Sequence, residues 1–463
     1  MASSPPSSEE PIVLSEENLA LRRYILNRPK KLNALNTPML ESLAAHVEHW
    51  DSSDLVGVIV GTGNGRAFCA GGDVAGVVQD AASAGTRSRA IGFFKREFGL
   101  NYTLAALTKP YVAIADGMTF GGGFGLVAPA PFRIATEKSQ FAMPETKIGY
   151  CPDVGASYYL SRLDGEIGTY LGLTATTLSG RAAFEHGLAT HYIPSSRVPI
   201  LLERLAALER PTLAQIDDAI EELHFERESS DPVAPLTGSI RLALDYAFAK
   251  ESVEDILRAL REYADGSRKP DSADVIQWAK DTIAVLEQRS PTSLKVSLLA
   301  IRNGRKVGLL EALKMELGIA TAFCSGATPD FHEGVSTLLI TKTGTPKWSP
   351  ASLSDVSTSA LKKAFFEPGN KAEELIIPEA LKRSHPAPAH FTKFALPTEE
   401  EIGKVVMGEH SASGSGAVTL PELITKFQGL RRDKHGVAEK IQEVVARRCS
   451  FEGTELQYLR WNH

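Results

Sequence analysis

A strand that runs straight into three consecutive glycines restricts a chain to few folds, and this one contains such a passage. Residues Tyr111–Ala115 read as a short apolar strand, and Asp116-Gly117-Met118-Thr119-Phe120-Gly121-Gly122-Gly123-Phe124-Gly125-Leu126 follows it into an apolar helix. A helical glycine costs about 1 kcal/mol relative to alanine, so a purely structural turn rarely carries three. Close helix packing accounts for one or two of them. A dinucleotide-binding loop is the other rival. Its glycines belong on the first strand of a βαβ unit in GxGxxG spacing, with an acid about 20 residues later. Here they are contiguous and follow a middle strand.

A second passage has the same design. Gly65-Arg66-Ala67-Phe68-Cys69-Ala70-Gly71-Gly72-Asp73 follows an apolar strand at residues 55–60 and precedes a helix for which Asp73 is a plausible N-cap. Amide groups at a helix N-terminus lack intrahelical partners and carry partial positive charge, and glycine lets a ligand approach them. Alone, this loop is equally well read as a tight turn. Two such turns together suggest two amides converging on one oxygen, an oxyanion hole in which loss of one donor costs roughly 10²–10³ in rate. The chemistry served is an enolate, or a tetrahedral intermediate at a thioester carbonyl.

The flanking segments support an α/β framework. Residues 20–26, 55–60 and Tyr111–Ala115 read as buried strands, and residues 37–50 as a helix with apolar Met39, Leu40, Leu43, Ala44 and Val47. From about Ile240 helix formers dominate, over residues 252–263 and 272–288, and Ser290-Pro291-Thr292 starts another helix with an N-cap and an early proline. Residues 331–341 and then Pro346-Lys347-Trp348 read as a structured connection. Beyond Gly369 come Pro378, Pro386, Pro388 and Pro397, a Ser/Gly run at residues 411–416, and a basic stretch at residues 428–448 holding Arg431, Arg432, Lys434, Lys440, Arg447 and Arg448. For that stretch a solvated amphipathic helix is the plainer reading, and binding of RNA or a ribosomal protein the sharper one. The expected division is a flexible segment 1–11, a core 12–235, a helical region 236–368 and an extension 369–463.

A net charge of −6 gives no global attraction to nucleic acid. No apolar run reaches the roughly 18 residues that span a bilayer. The four cysteines, Cys69, Cys151, Cys324 and Cys449, form no close pair, which points to a reducing compartment and to packing roles. Residues 1–11 are Ser/Pro-rich and acidic, unlike a signal peptide or a basic presequence, so the chain is expected either in the cytosol or with its presequence removed.

Three acids complete the candidate site. Glu145, in Ala142-Met143-Pro144-Glu145-Thr146, and Asp153, in Gly149-Tyr150-Cys151-Pro152-Asp153-Val154-Gly155, lie in apolar surroundings that disfavour the charged form and suit proton transfer near neutral pH. Their spacing alone would favour a cap or a salt bridge. Glu97, in Phe93-Phe94-Lys95-Arg96-Glu97-Phe98, taken by itself reads as a helix-surface acid.

The ordered motifs Asn27-Arg28-Pro29-Lys30-Lys31-Leu32-Asn33-Ala34-Leu35, Ala67-Phe68-Cys69-Ala70-Gly71-Gly72-Asp73 and Gly121-Gly122-Gly123 resemble the crotonase (enoyl-CoA hydratase/isomerase) superfamily. Phe141-Ala142-Met143-Pro144-Glu145-Thr146, Pro152-Asp153-Val154-Gly155, Ser290-Pro291-Thr292-Ser293, Asp330-Phe331-His332-Glu333-Gly334-Val335 and Pro346-Lys347-Trp348 resemble its 3-hydroxyisobutyryl-CoA hydrolase branch. The similarity spans residues 12–365. It implies a ClpP-like spiral of ββα units followed by a helical region and the C-terminal extension. By this resemblance, the Gly72 and Gly122 amides hold the thioester oxygen, Glu145 attacks the thioester carbon or activates the water that does, and Asp153 handles protons. Glu97 matches a further substrate-site acid, with Gly122, Glu145 and Asp153 also touching substrate. The first motif matches the segment that contacts CoA in family members, where Arg28, Lys30 and Lys31 are weak candidates for phosphate pairing. No metal or redox cofactor is implied, since CoA is part of the substrate.

Enoyl-CoA hydratases carry a second glutamate three residues after the glycine matching Gly122, where this chain has Gly125. That favours thioester hydrolysis over hydration, which stands as the alternative. Fungal members resembling the branch also occur in the small subunit of the mitochondrial ribosome, which implies a second role through the extension and a mitochondrial location. Crotonases commonly form trimers and hexamers, contacts that a long C-terminal addition is able to block, so the resemblance leaves the oligomeric state open.

Overall fold

The computed structural model describes residues 10–227, 231, 233–268, 272–367, 373–384, 391–411, 413–414, 417–453 and 457–462. Strands come in consecutive pairs. After the hairpin of β1 (Val13–Asn18) and β2 (Leu21–Leu26), the chain lays down β3 (Val58–Gly63) with β4 (Ala67–Cys69), β5 (Tyr111–Ala115) with β6 (Met118–Phe120), and β7 (Phe132–Ala135) with β8 (Gln140–Ala142). Short β9 (Leu178–Ser179) and β10 (His191–Tyr192) follow. The members of each pair enter different sheets, a six-stranded one ordered β1-β2-β3-β5-β7-β10 and a four-stranded one ordered β4-β6-β8-β9. Helices return the chain between turns: α1 (Thr37–Ser52), α2 (Val74–Ala81), α3 (Arg87–Ala105), α4 (Gly122–Val127) and α5 (Ala156–Leu160). The result is a spiral of ββα turns.

The large sheet is parallel from β2 to β10 and covered on both faces. Val58, Val60, Val112, Ile114, Phe132 and Ile134 pack on one side against helices Val198–Ala206 and Leu213–Glu221. Ile59, Tyr111, Ala113 and Ala115 face the main core. Side chains alternate along a strand, so two covered faces yield the unbroken apolar runs seen in the sequence. The strand expected at residues 55–60 begins only at Val58. Leu55 is exposed, and pairing with β2 starts where Leu21 meets Val58.

Helix α1 is capped by the Asn36 side chain and buries Met39, Leu40, Leu43, Val47 and Trp50. In the helical region, Ser252 caps Val253–Ala264, Ala273–Glu287 follows, and Ser290 caps Pro291–Gly304 through the Ser293 amide at 3.0 Å. The expected connection near residues 331–341 is α-helical over Asp330–Val335 and then a π-helix, Ser336–Thr341.

The extension contributes helices Glu379–Ser384, Glu399–Val406, Leu420–Leu430 and Val437–Arg448, and the hairpin β11 (Cys449–Glu452) with β12 (Tyr458–Trp461). Its Phe391, Leu396, Ile402, Leu423, Phe427, Ile441 and Val444 join the main buried cluster. Most of its basic stretch is turned inward, while Arg432 stays exposed. Arg431 pairs with Glu401 at 2.8 Å, Arg432 with Asp218 at 2.7 Å and Lys440 with Asp164 at 2.6 Å. Lys434 pairs with Glu221, Arg447 with Glu399 and Glu443, and Arg448 with Glu399 and Asp245. Every basic residue noted in that stretch therefore has an acidic partner inside the molecule. That pairing departs from the solvated-helix reading for all but Arg432, whose pair with Asp218 is exposed. Pro386, Pro388 and part of the Ser/Gly run at residues 411–416 lie outside the described residues. Among the described residues, no helix is long and apolar enough to cross a membrane.

Candidate active site

Three parallel neighbours in the small sheet end side by side. β4 pairs with β6 and β6 with β8, in registers that set Cys69 beside Thr119 and Phe120 beside Ala142. Gly72 lies three residues beyond β4, Gly122 two beyond β6, and Glu145 three beyond β8. Adjacent strand ends thus deliver two glycine corners and one carboxylate to the same place. A bridge between Leu35 and Gly72 anchors the first corner, with Leu35 N donating to Gly71 O at 2.8 Å and Asp73 N to Leu35 O at 2.7 Å.

The corners touch. A Cβ on Gly122 would stand 3.2 Å from the Gly72 nitrogen and would overlap Glu97 Oε1. At Gly121 φ is +48°, a conformation L side chains rarely adopt, and a Cβ there would lie 2.5 Å from Glu145 Oε1. Among the described residues neither the Gly72 nor the Gly122 amide donates a hydrogen bond. Asp73 does occupy the N-cap of α2, but its side chain makes no capping bond and pairs instead with Arg28 at 3.2 Å. Arg28 also donates to Ala34 O, so its guanidinium is engaged within the chain, while Lys30 and Lys31 are exposed.

The acids gather around these corners. Glu97 comes from the buried face of α3, Glu145 starts the 3-10 turn Glu145–Ile148, and Asp153 precedes α5; they are 2%, 6% and 5% exposed. Glu97 Oε1 and Glu145 Oε2 are buried and have no hydrogen-bond partner among the described residues. Burial pushes Glu97 up to about 8. Burial and then the Glu97 charge push Glu145 up to about 8, against a lowering backbone hydrogen bond. Asp153 is raised well above the carboxylate range, first by burial and then by the charges of Glu97, Glu145 and Glu316. The Tyr150 hydroxyl lies beside Asp153 and lowers it slightly, without the geometry of a formed hydrogen bond. Buried polar atoms without partners are uncommon and mark places where a ligand completes the bonding.

Gly125 has a steric explanation as well as a chemical one. A Cβ there would lie 2.5 Å from Val154 Cβ and 2.9 Å from Asn101 Nδ2. The space a second glutamate would need is filled by the turn that carries Asp153. Cys69 and Cys151 are buried free thiols, and burial raises both, Cys69 to about 12, in keeping with packing roles.

One residue of this cluster is not apparent from the motifs. Glu316, on the helix Leu309–Cys324, is 1% exposed and accepts hydrogen bonds from Gly155 N at 2.7 Å, Ser157 N at 2.9 Å and Ser157 Oγ at 2.5 Å. Its signal was a glutamate on the apolar stripe Leu309, Leu313, Leu317, Ala320.

Paired backbone amides above a cluster of buried carboxylates define a site for carbonyl chemistry on an acyl group, built on a ββα spiral. The enoyl-CoA hydratase/isomerase family model matches residues 21–365, and the chain belongs to that family. It is 39% identical to the small ribosomal subunit protein mS47 of Neurospora crassa, an alignment spanning 99% of this chain and 89% of that protein. It is 38% identical to the mitochondrial 3-hydroxyisobutyryl-CoA hydrolase of Rattus norvegicus over 75% of this chain and 86% of the relative. Among solved structures, a carnitinyl-CoA dehydratase from Mycobacterium thermoresistibile aligns with a TM-score of 0.69 at 31% identity, covering 80% of this chain and 99% of that one.

Proposed function

We propose that this chain is an acyl-CoA thioester hydrolase that converts 3-hydroxyisobutyryl-CoA and water to 3-hydroxyisobutyrate and CoA, a step of valine breakdown, in the mitochondrion. The observation that carries the reading is the convergence of the Gly72 and Gly122 amides with the Glu145 carboxylate at three adjacent strand ends. The hydrolase names of relatives 38% identical over most of the chain support the substrate and the compartment.

In this reading the two amides hold the thioester oxygen and stabilise the charge that develops there. Glu145 attacks the carbonyl carbon, the C–S bond breaks with its electron pair on sulfur, and Asp153 protonates the departing thiolate. Water then adds to the acyl carbon of the mixed anhydride, returns a proton to Asp153 and frees Glu145 with release of the acid. Asp153, raised by burial and by the neighbouring carboxylate charges, is suited to hold the proton that the thiolate takes. Glu97 completes the pocket wall against the substrate. No cofactor is called on, and CoA enters with the substrate. Hydration needs a second acid at position 125, where Val154 leaves no room. The test is thiol release. Glu145→Ala is expected to abolish it on 3-hydroxyisobutyryl-CoA while retaining ester binding. Undiminished turnover, or loss of enoyl absorbance from crotonyl-CoA without free thiol, contradicts the reading.

A second role beside catalysis is supported by one observation: the Neurospora crassa relative named as a small-subunit protein matches this chain through the extension as well as the core. We propose that the intact chain also contacts the small mitochondrial ribosomal subunit through the C-terminal extension. Full-length protein carrying Glu145→Ala should co-sediment with small subunits as well as wild type does. Absence of both from the subunit fraction at low salt contradicts it.

A further inference from the structure

Asp153 sits at the start of an unusual turn. The next residue, Val154, is β-branched yet has φ +55°, and Gly155 follows at +86°. A β-branched residue in the left-handed region is an outlier, held only where its surroundings over-determine it. Two contacts hold this one. Its side chain fills the space above Gly125, and the two amides that the reversed backbone turns inward, those of Gly155 and Ser157, both end on Glu316. The Ser157 hydroxyl adds a third bond to the same carboxylate. Glu316 lies some 160 positions further along the chain, in the helical region, and is as buried as the acids of the site.

We propose that Glu316 is a positioning residue for the hydrolase reaction: by accepting these three hydrogen bonds it clamps the residue 153–157 turn and thereby fixes the Asp153 carboxyl where it hands its proton to the leaving thiolate. The inference rests on the hydrolase reading given above. A carboxylate accepting three hydrogen bonds acts as an N-terminal anchor for α5, whose first amides would otherwise be unsatisfied in a dry interior. Burial and the charges of Glu97 and Glu145 raise Asp153 first, and the Glu316 charge adds to them. The placement of Asp153 therefore depends on one distant side chain, which also adds to the charges that raise it. A displacement near 1 Å of a reacting group is enough to cost about 10²-fold in rate.

Glutamine at position 316 keeps the size but replaces one acceptor oxygen with a donor facing an amide, and it removes the charge. Glu316→Gln is expected to lower kcat on 3-hydroxyisobutyryl-CoA at least about tenfold with KM within about threefold of wild type. Asp153 must be protonated to act as the acid, and loss of the Glu316 charge lowers its pKa, so the alkaline limb of the kcat profile should move to lower pH. Glu316→Asp, which keeps the charge, should leave that limb in place. Ser157→Ala removes only the hydroxyl bond. It serves if Glu316→Gln does not fold, and should give a smaller kcat loss with a limb shift in the same direction. A wild-type enzyme that releases no thiol from this ester would overturn the hydrolase reading itself. With wild type active, an unmoved alkaline limb in both Glu316→Gln and Ser157→Ala overturns the assignment of Glu316, whatever the effect on melting temperature.

Discussion

Glu97, Glu145 and Asp153 are buried together: the Glu97 charge raises both of the others, and the Glu145 charge raises Asp153. Glu97 itself rises only through burial, to about 8. A carboxylate raised in this way binds its proton more tightly folded than unfolded. Its stabilising contribution is complete below the ordinary value near 4.3 and is lost as pH climbs toward about 8. Glu97→Gln should therefore raise the melting temperature more at pH 8 than at pH 5, a gain of about 1 kcal/mol or more at the higher pH. It should also move the acid limb of kcat/KM to lower pH, because Glu145 loses a repelling neighbour. A melting temperature that drops equally at both pH values would show that Glu97 contributes as a packed neutral group.

At the scale of elements, α3 ties the site to the extension. It carries Glu97 inward, while on its outer side Lys95 pairs with Glu373 at 2.7 Å and Lys95 O accepts from Ile376 N at 3.1 Å. Gly99 lets that segment lie directly on the helix, since a Cβ there would overlap the Ile376 carbonyl. Gly99→Ala should lift residues 373–377, destabilise the protein by about 1–3 kcal/mol as overpacking does, and open residues 373–384 to limited proteolysis. Unchanged melting and cleavage would show that the segment adjusts freely. The sequence made the strand ends legible: β5 was read at its true limits, and glycines at two strand-to-helix junctions marked the two corners that meet in the structure. β3 was misplaced by three residues because Leu55 is apolar but lies outside the ladder. Glu316 was hidden because its meaning depends on a turn some 160 residues away, and no local pattern encodes that pairing.

For the whole molecule, the extension is structural material as well as an addition. Arg133, 1% exposed, donates to Phe391 O at 2.9 Å and stacks 4.0 Å from the Phe391 ring, and buried Arg241 bonds Glu399. A chain ending at residue 368 would strip Arg133 of Phe391 and Arg241 of Glu399, leaving Arg133 its bonds to Ala130 O and Leu188 O and Arg241 its pair with Asp245, and would expose an apolar face. Removing one partner of a buried pair typically costs 3–5 kcal/mol. Such a fragment is expected to lose near-UV circular dichroism and bind a hydrophobic dye, and a sharp native melt would contradict this. The same ion pairs should make the extension acid-labile. Burial would raise Glu221, but His191, Lys434 and His435 outweigh it and hold the acid at about 2. A depressed carboxylate contributes stability above its unfolded value, and that contribution fades as pH falls from about 4 toward about 2. Amide exchange in residues 431–448 should accelerate across that window ahead of β3 and β5, and simultaneous release of all three would argue for a single acid transition.

Two backbone amides gripping one carbonyl are the centre of the proposed chemistry, and vibrational spectroscopy reads that grip directly. With Glu145→Gln preventing turnover, 3-hydroxyisobutyryl-CoA labelled with ¹³C at the thioester carbonyl can be held in the site and its C=O stretch isolated by difference. Polarisation by Gly72 and Gly122 predicts a band at lower wavenumber than the free ester shows in water. A bound ester whose carbonyl vibrates at its aqueous frequency would mean that the glycine corners do not act on it.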